Sequence, residues 1–246
     1  MRHCKNCGEE LHGMYCGHCG QKAEAGRITF LYIWHEIVHF FTHAEKGFLF
    51  TSWQMIKAPG RTAKNFIDGK RKNYQPPLSY FLIWNGIHLL LLYIVGSVFG
   101  ENKVVNFAEY FGPAVKTKFA ISHLNIVLTA LLPFQALYIY LVLVYRLYNY
   151  FEALVAILYA IGTVLLFQFV FVLMAIPVYL LSGISINIQL SDILKVLLIG
   201  WFMIDLVKVL PVKHKFLRAA IVLILSFGTF TLWRLYGFPK IADWFL

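Results

Sequence analysis

The sequence predicts an all-α polytopic membrane protein of about five transmembrane helices, preceded by a small zinc knuckle and interfacial amphipathic helices. Three observations predict it. Hydrophobic residues make up 59% of the 246 residues and only 14% are charged, against about 25% charged in ordinary soluble proteins. Apolar runs of about 20 residues, the length that crosses a bilayer core as a helix, recur from residue 79 onward. All four cysteines fall in the first 19 residues, as two C-x2-C pairs. The expected division is a knuckle (1–22), a cytoplasm-facing interfacial and basic segment (28–78) and a transmembrane bundle (79–246).

Cys4-Lys-Asn-Cys7-Gly and Cys16-Gly-His-Cys19-Gly make a C-x2-C-x8-C-x2-C pattern of zinc-ribbon type. A tight turn in each half points two thiolates at one metal, while backbone N–H groups donate to the sulfurs. The Gly after each second Cys permits the backbone angle that the turn needs. Four thiolates leave no open coordination position, so the expectation is one structural zinc ion on Cys4, Cys7, Cys16 and Cys19. Iron and an unmetallated redox cluster are the alternatives. Arg2, Lys5 and Lys22 stand close enough in sequence to offset the dianionic site. Reduced thiolates belong in the cytosol, and this polar start does not look like a cleavable signal peptide.

A polar linker (23–27) leads to Phe30, Ile33, Trp34, Ile37 and Phe41, spaced as one face of a helix. The opposite stripe holds His35, Glu36, His39 and His43. The segment is too short and polar to span, so an in-plane interfacial helix is expected. Phe48 to Ile56 is a second apolar stretch. Pro59-Gly60 reads as a turn, Arg61 to Asp68 as a short helix, and Gly69 as its left-handed C-cap. Arg61, Lys64, Lys70, Arg71 and Lys72, with Tyr74, are a candidate site for an anionic lipid headgroup or phosphate, since Arg forks onto phosphate oxygens and Lys adds charge. A bare topology signal is the simpler reading of the same cations.

Spans are expected at about 79–99, 121–145, 154–181, 191–210 and 216–237. With the N-terminus cytoplasmic, inside segments carry sixteen Lys and Arg against five outside, which favours that orientation. The net charge of +10 therefore points to anionic lipid and not to nucleic acid. Lys195 can pair with Asp192 at i, i+3. No internal repeat and no soluble enzyme domain is evident.

The order of knuckle, His39-x3-His43-x-Glu45-Lys-Gly47 running to Thr51, Pro59-Gly60, and Gly69-Lys70-Arg71-x-x-Tyr74-x-x-Pro77 resembles an uncharacterised bacterial family. Its members are small inner-membrane proteins of unknown function with an N-terminal Cys4 knuckle. The likeness covers residues 4–84. It implies architecture, a bacterial inner-membrane location and one shared motif, but no activity.

Three functional classes follow. The favoured one is a non-catalytic accessory or scaffold module that binds a protein partner through the knuckle and anionic lipid or phosphate through the basic loop. A small transporter or lipid-handling protein is the second, and would need His88, Gln168 and Asp205 to face one cavity. The third is a membrane metallohydrolase using His35-Glu36-x-x-His39, whose two imidazoles share a helix face. His39, His43 and Glu45 are also a candidate second metal or ligand site without catalysis. For Asp205 the simpler reading is an ion pair with Lys208, and for Asn85, Gln135 and Gln168 it is interhelical hydrogen bonding.

Overall fold

The computed structural model describes residues 2–34, 47–100, 104–106 and 129–237. The fold is mostly helical. Helices α1 (Phe48–Lys57) and α2 (Pro59–Ile67) form a short platform. The bundle consists of α3 (Pro77–Phe99), α4 (Thr129–Val144), α5 (Tyr150–Ser182), α6 (Ile188–Val209) and α7 (Lys215–Leu232). Val105–Asn106 and Ile186–Asn187 pair in parallel over two residues, a small departure from the all-α expectation. Helices α3, α5 and α7 are long and apolar enough to cross a membrane, and α4 is a shorter apolar helix. These mark the chain as a membrane protein. Helix α6 coincides with the expected fourth span but carries Asp192, Lys195, Asp205 and Lys208. At 33 residues, α5 is about 50 Å long, well beyond the ~30 Å hydrocarbon core.

Local chemistry explains the breaks. The chain turns between α1 and α2 at Ala58 (φ −154°, ψ 74°). Pro59 then begins α2 and is not part of a preceding turn, as the sequence had suggested. At the first helical position its missing N–H costs nothing. The α2 C-terminus closes as a Schellman motif: Gly69 N donates to Phe66 O and Lys70 N to Asn65 O. Gly69 has φ +109°, the left-handed geometry expected of it. Pro77 starts α3 in the same way as Pro59 starts α2.

The core lies where the platform meets the bundle. Phe66 of α2 sits edge-on to Tyr159 of α5, with ring centroids 5.5 Å apart, and Tyr80 of α3 lies 5.7 Å from the same ring. Tyr159 also donates to Gln75 O at 2.6 Å. Gly162 lets Tyr80 lie against α5, since a Cβ there would come within 2.6 Å of the tyrosine ring. Gly60 is tighter still: a Cβ would fall 2.0 Å from Leu206 N of α6. Beside it, Asp205 accepts from Arg61 N at 2.9 Å. Asp205 thus serves as a cap supplied by another helix, because Ala58 has no side chain that can cap α2. The expected Asp205–Lys208 pair is not formed among the described residues, whereas Lys195–Asp192 is, at 3.0 Å.

Candidate metal centre and the basic face

Residues 2–23 form two near-identical halves. Cys4 N donates to Glu9 O, Gly8 N to Cys4 O and Leu11 N to Arg2 O. Twelve residues on, Cys16 N donates to Gln21 O, Gly20 N to Cys16 O and Ala23 N to Met14 O. The hydrogen bonds thus repeat at the 12-residue offset of the two Cys-x2-Cys-Gly units, although no internal repeat was expected. Gly8 (φ +83°) and Gly20 (φ +70°) occupy the left-handed position that follows each second cysteine.

The four sulfurs lie within 4.8 Å of one another, with Cys4–Cys19 at 3.6 Å and Cys7–Cys16 at 3.5 Å. A tetrahedral site with bonds of about 2.3 Å has edges of about 3.8 Å, so the set fits one metal ion. The backbone N–H of Cys7 lowers the Cys4 thiol to about 7. That of Cys19 lowers Cys16 in the same way. Cys7 accepts from the Glu9 N–H, yet desolvation and the other three sulfurs push it up to about 12. A divalent cation reverses that repulsion and ionises all four. Of the expected counter-cations, Lys5 donates instead to Ala25 O at 3.1 Å and Arg2 pairs with Glu24 at 3.5 Å.

The knuckle does not stand free. The Gln21 side chain is buried and makes three bonds to the turn after α2: Nε2 donates to Gly69 O (2.8 Å), and Oε1 accepts from Arg71 N (3.0 Å) and Lys72 N (3.1 Å). A Cβ on Gly69 would come within 2.7 Å of Lys5 Cδ, so this glycine is needed for its dihedral and for the close approach of the knuckle. Arg27 then clamps the linker to α5 by a two-pronged pair with Glu152 (2.6 and 3.1 Å), which holds the guanidinium further above its ordinary value. Glu152 is buried, and it completes a capping box with Asn149 at the start of α5.

The basic residues are distributed around this joint. The Arg71 guanidinium donates to Phe66 O (3.3 Å) and Gly26 O (2.8 Å) and covers the Tyr32 ring at 5.0 Å. Lys64 pairs with Asp68 along α2. Asp68 also accepts from Tyr148 OH at 2.9 Å, and burial and Asp68 together raise that phenol. Arg61, Lys70 and Lys72 are exposed. Tyr74 is half-buried against Phe50. His35, Glu36, His39, His43 and Glu45 lie outside the described residues. Gln21, Arg27 and Glu152 were not singled out from sequence: their contacts join positions 48 to 125 residues apart, and no local pattern marks them.

Residues 45–88 match the family model of a protein of unknown function, DUF3667. The likeness read from the motifs is therefore to a family of unknown function, over the platform, the basic turn and the first half of α3. Within the stretch, several motif residues have geometric roles. Gly47 approaches the backbone of Asn73 and Gln75, where a Cβ would come within 2.9 Å. Buried Thr51 accepts from Gln75 N at 2.7 Å, and Gly60, Gly69, Arg71 and Pro77 act as described above. No curated protein and no solved structure matches the chain.

Proposed function

We propose that the chain is a non-catalytic membrane accessory or scaffold module. Its metal-braced knuckle is locked onto the bundle and completes a basic face for anionic lipid headgroups or phosphate. The Gln21 clamp carries this reading. It fixes Gly69 to Lys72 against the knuckle, so that exposed Lys22, Lys70 and Lys72 belong to one shaped surface. In this reading the ion is zinc and the knuckle faces the cytoplasm, where the leaflet surface is negative and each nearby cation contributes about 1 kcal/mol. Five helices cross a bacterial inner membrane, with α6 as the fourth; its Lys195–Asp192 pair lowers the cost of burying the two charges. Met14 and Tyr15, 74% and 62% exposed at the outer end of the knuckle, offer a protein partner an apolar contact.

The test is retention of phosphatidylglycerol by purified protein in native mass spectrometry. Lys70→Ala with Lys72→Ala should reduce it severalfold. Chelation of the knuckle metal should do the same with both lysines in place, because the clamp loses its folded partner. Wild-type retention in both cases would overturn the proposal. Labelling of a cysteine introduced at position 110 only from the knuckle's side of the membrane would overturn the topology.

A further inference from the structure

A cavity of about 590 Å³ opens between α3, α4, α5, α6 and α7, away from the metal-braced end. Its size falls within the range of about 300–1,000 Å³ typical of small-molecule sites. The walls are mainly aliphatic and aromatic, for example Leu165, Phe171, Val196 and Phe227, and polar groups are few. Most of those polar groups are engaged with protein. Gln168 accepts from Ser191 Oγ at 2.9 Å and donates to Ser191 O at 3.3 Å. Gln135 donates to Ser226 O at 3.5 Å, and Lys195 is paired with Asp192. His88 differs. It lines the cavity from α3, only 8% of it is exposed, and its Nδ1 has no hydrogen-bond partner among the described residues. The sequence had grouped His88 and Gln168 with Asp205. The structure puts the first two on this cavity and Asp205 on the cap of α2.

An unpartnered nitrogen buried inside a membrane bundle is costly to leave unmade, and a ligand group reaching it would remove that cost. The charge balance narrows the ligand. The one cation lining the cavity among the described residues, Lys195, already has a carboxylate beside it, so an anionic head would compete with Asp192 and a cationic head with Lys195. A hydroxyl both donates and accepts, so it can serve either tautomer of a neutral imidazole. The apolar walls suit a hydrocarbon chain.

We propose that this cavity binds an uncharged, hydroxyl-ended hydrocarbon chain of the long-chain alcohol class, with the hydroxyl on His88 and the chain along α5, α6 and α7. This function is separate from the basic face, and loss of headgroup binding there would leave it standing.

The probe is hexadecanol carrying a mid-chain diazirine, photolysed with the full chain in nanodiscs. The matching alkane and the matching fatty acid are compared with it. Cross-links should map to cavity residues such as Phe171 and Val196, and unlabelled hexadecanol should compete. His88→Phe should weaken alcohol labelling about fivefold, the ratio given by one net hydrogen bond of about 1 kcal/mol, and leave the alkane unchanged. His88→Asn, which keeps a donor and an acceptor, should retain more of the labelling than His88→Phe. Val164→Trp, which fills the cavity, should abolish labelling by both. Equal labelling by alcohol and alkane in wild type, or alcohol labelling indifferent to His88→Phe, would overturn the proposal. So would cross-links confined to outward-facing Tyr93 and Leu181, or a preference for the fatty acid. If Val164→Trp fails to give a monodisperse protein, the His88 pair and the competition experiment still decide.

Discussion

The two ends of the bundle are built differently, and glycines report the difference. At the platform end, Gly60 and Gly162 are points of contact between helices: a side chain on either would meet a neighbouring element at well under 3 Å. Elsewhere in the bundle, Gly86, Gly96, Gly200 and Gly228 have, among the described residues, no neighbouring atom within 4 Å of where a Cβ would stand. The buried clusters show the same asymmetry. A large continuous core runs through the platform, the start of α5 and the last turns of α6, and a small separate one gathers around Val95, Val104, Val172 and Ala175. The cavity is lined by the middle of the bundle, between them. One end is a closely packed joint, held further by the four-cysteine knuckle through Gln21. The middle of the bundle holds the cavity instead, which suits a role in which something enters.

The sharpest way to break that comparison is a pair of matched substitutions. Gly60→Ala would place its methyl 2.0 Å from Leu206 N and 2.4 Å from its Cα. Both are backbone atoms, so α2 and α6 must separate, and the Asp205 cap on Arg61 N is strained with them. The expected cost is about 3 kcal/mol, at the upper end of overpacking effects. Gly228→Ala meets no described atom within 4 Å and exchanges a poor helix former for a good one, so stability should change by less than about 1 kcal/mol, towards greater stability. Thermal loss of the monodisperse detergent-solubilised peak measures both. Equal effects would mean that the two ends do not differ in packing.

A smaller effect is expected where the linker meets α5. Arg27→Ala strips the Glu152 carboxylate of its cation while leaving it buried, with the Asn149 N–H at 2.8 Å as its remaining partner among the described residues. Removing one partner of a fully buried pair costs about 3–5 kcal/mol. Arg27 is 62% exposed, and solvent screening brings the expectation down to about 2 kcal/mol. Adding Glu152→Gln to Arg27→Ala should recover part of this, because an amide keeps the capping box without a charge. Failure to recover any would show that Arg27 acts through packing along the linker.

These contacts also show where sequence reasoning reaches its limit. The four-cysteine cluster was legible because its geometry is local: the cysteine spacing and the glycines specify both turns and bring the four sulfurs together. The α2 terminus was legible for the same reason, since Gly69 and the cations after it describe one turn. Three of the expected spans were legible from their apolar length, as α3, α5 and α7. What could not be read was anything decided by a distant partner. Gln21 looks like an ordinary surface residue beside the last knuckle turn until the Gly69–Lys72 backbone is brought to it. Pro59-Gly60 reads as a turn until α6 arrives, and then the glycine is there for Leu206 and the proline only starts a helix. Asp205 looked like a membrane acid seeking Lys208, and its partner is a backbone amide 144 residues away.

The smallest expected effect bears on the basic face itself. Lys64 and Asp68 form an i, i+4 pair on α2, with side chains 24% and 40% exposed. Such pairs contribute about 0.3–0.5 kcal/mol, so Lys64→Ala should lower stability by no more than that. Asp68 has a second duty: its other oxygen accepts from Tyr148, which is half-buried. Asp68→Ala should therefore cost more than Lys64→Ala, by about 1 kcal/mol, the usual net value of a hydrogen bond. The useful comparison is with lipid binding. If Lys64 only props Asp68, Lys64→Ala leaves phosphatidylglycerol retention at the wild-type level. If it belongs to the headgroup site, retention falls while stability stays within half a kcal/mol, and Asp68→Ala raises retention by freeing the ammonium. Opposite movement of the two variants in binding, against parallel movement in stability, separates a ligand-facing lysine from a helix-surface ion pair.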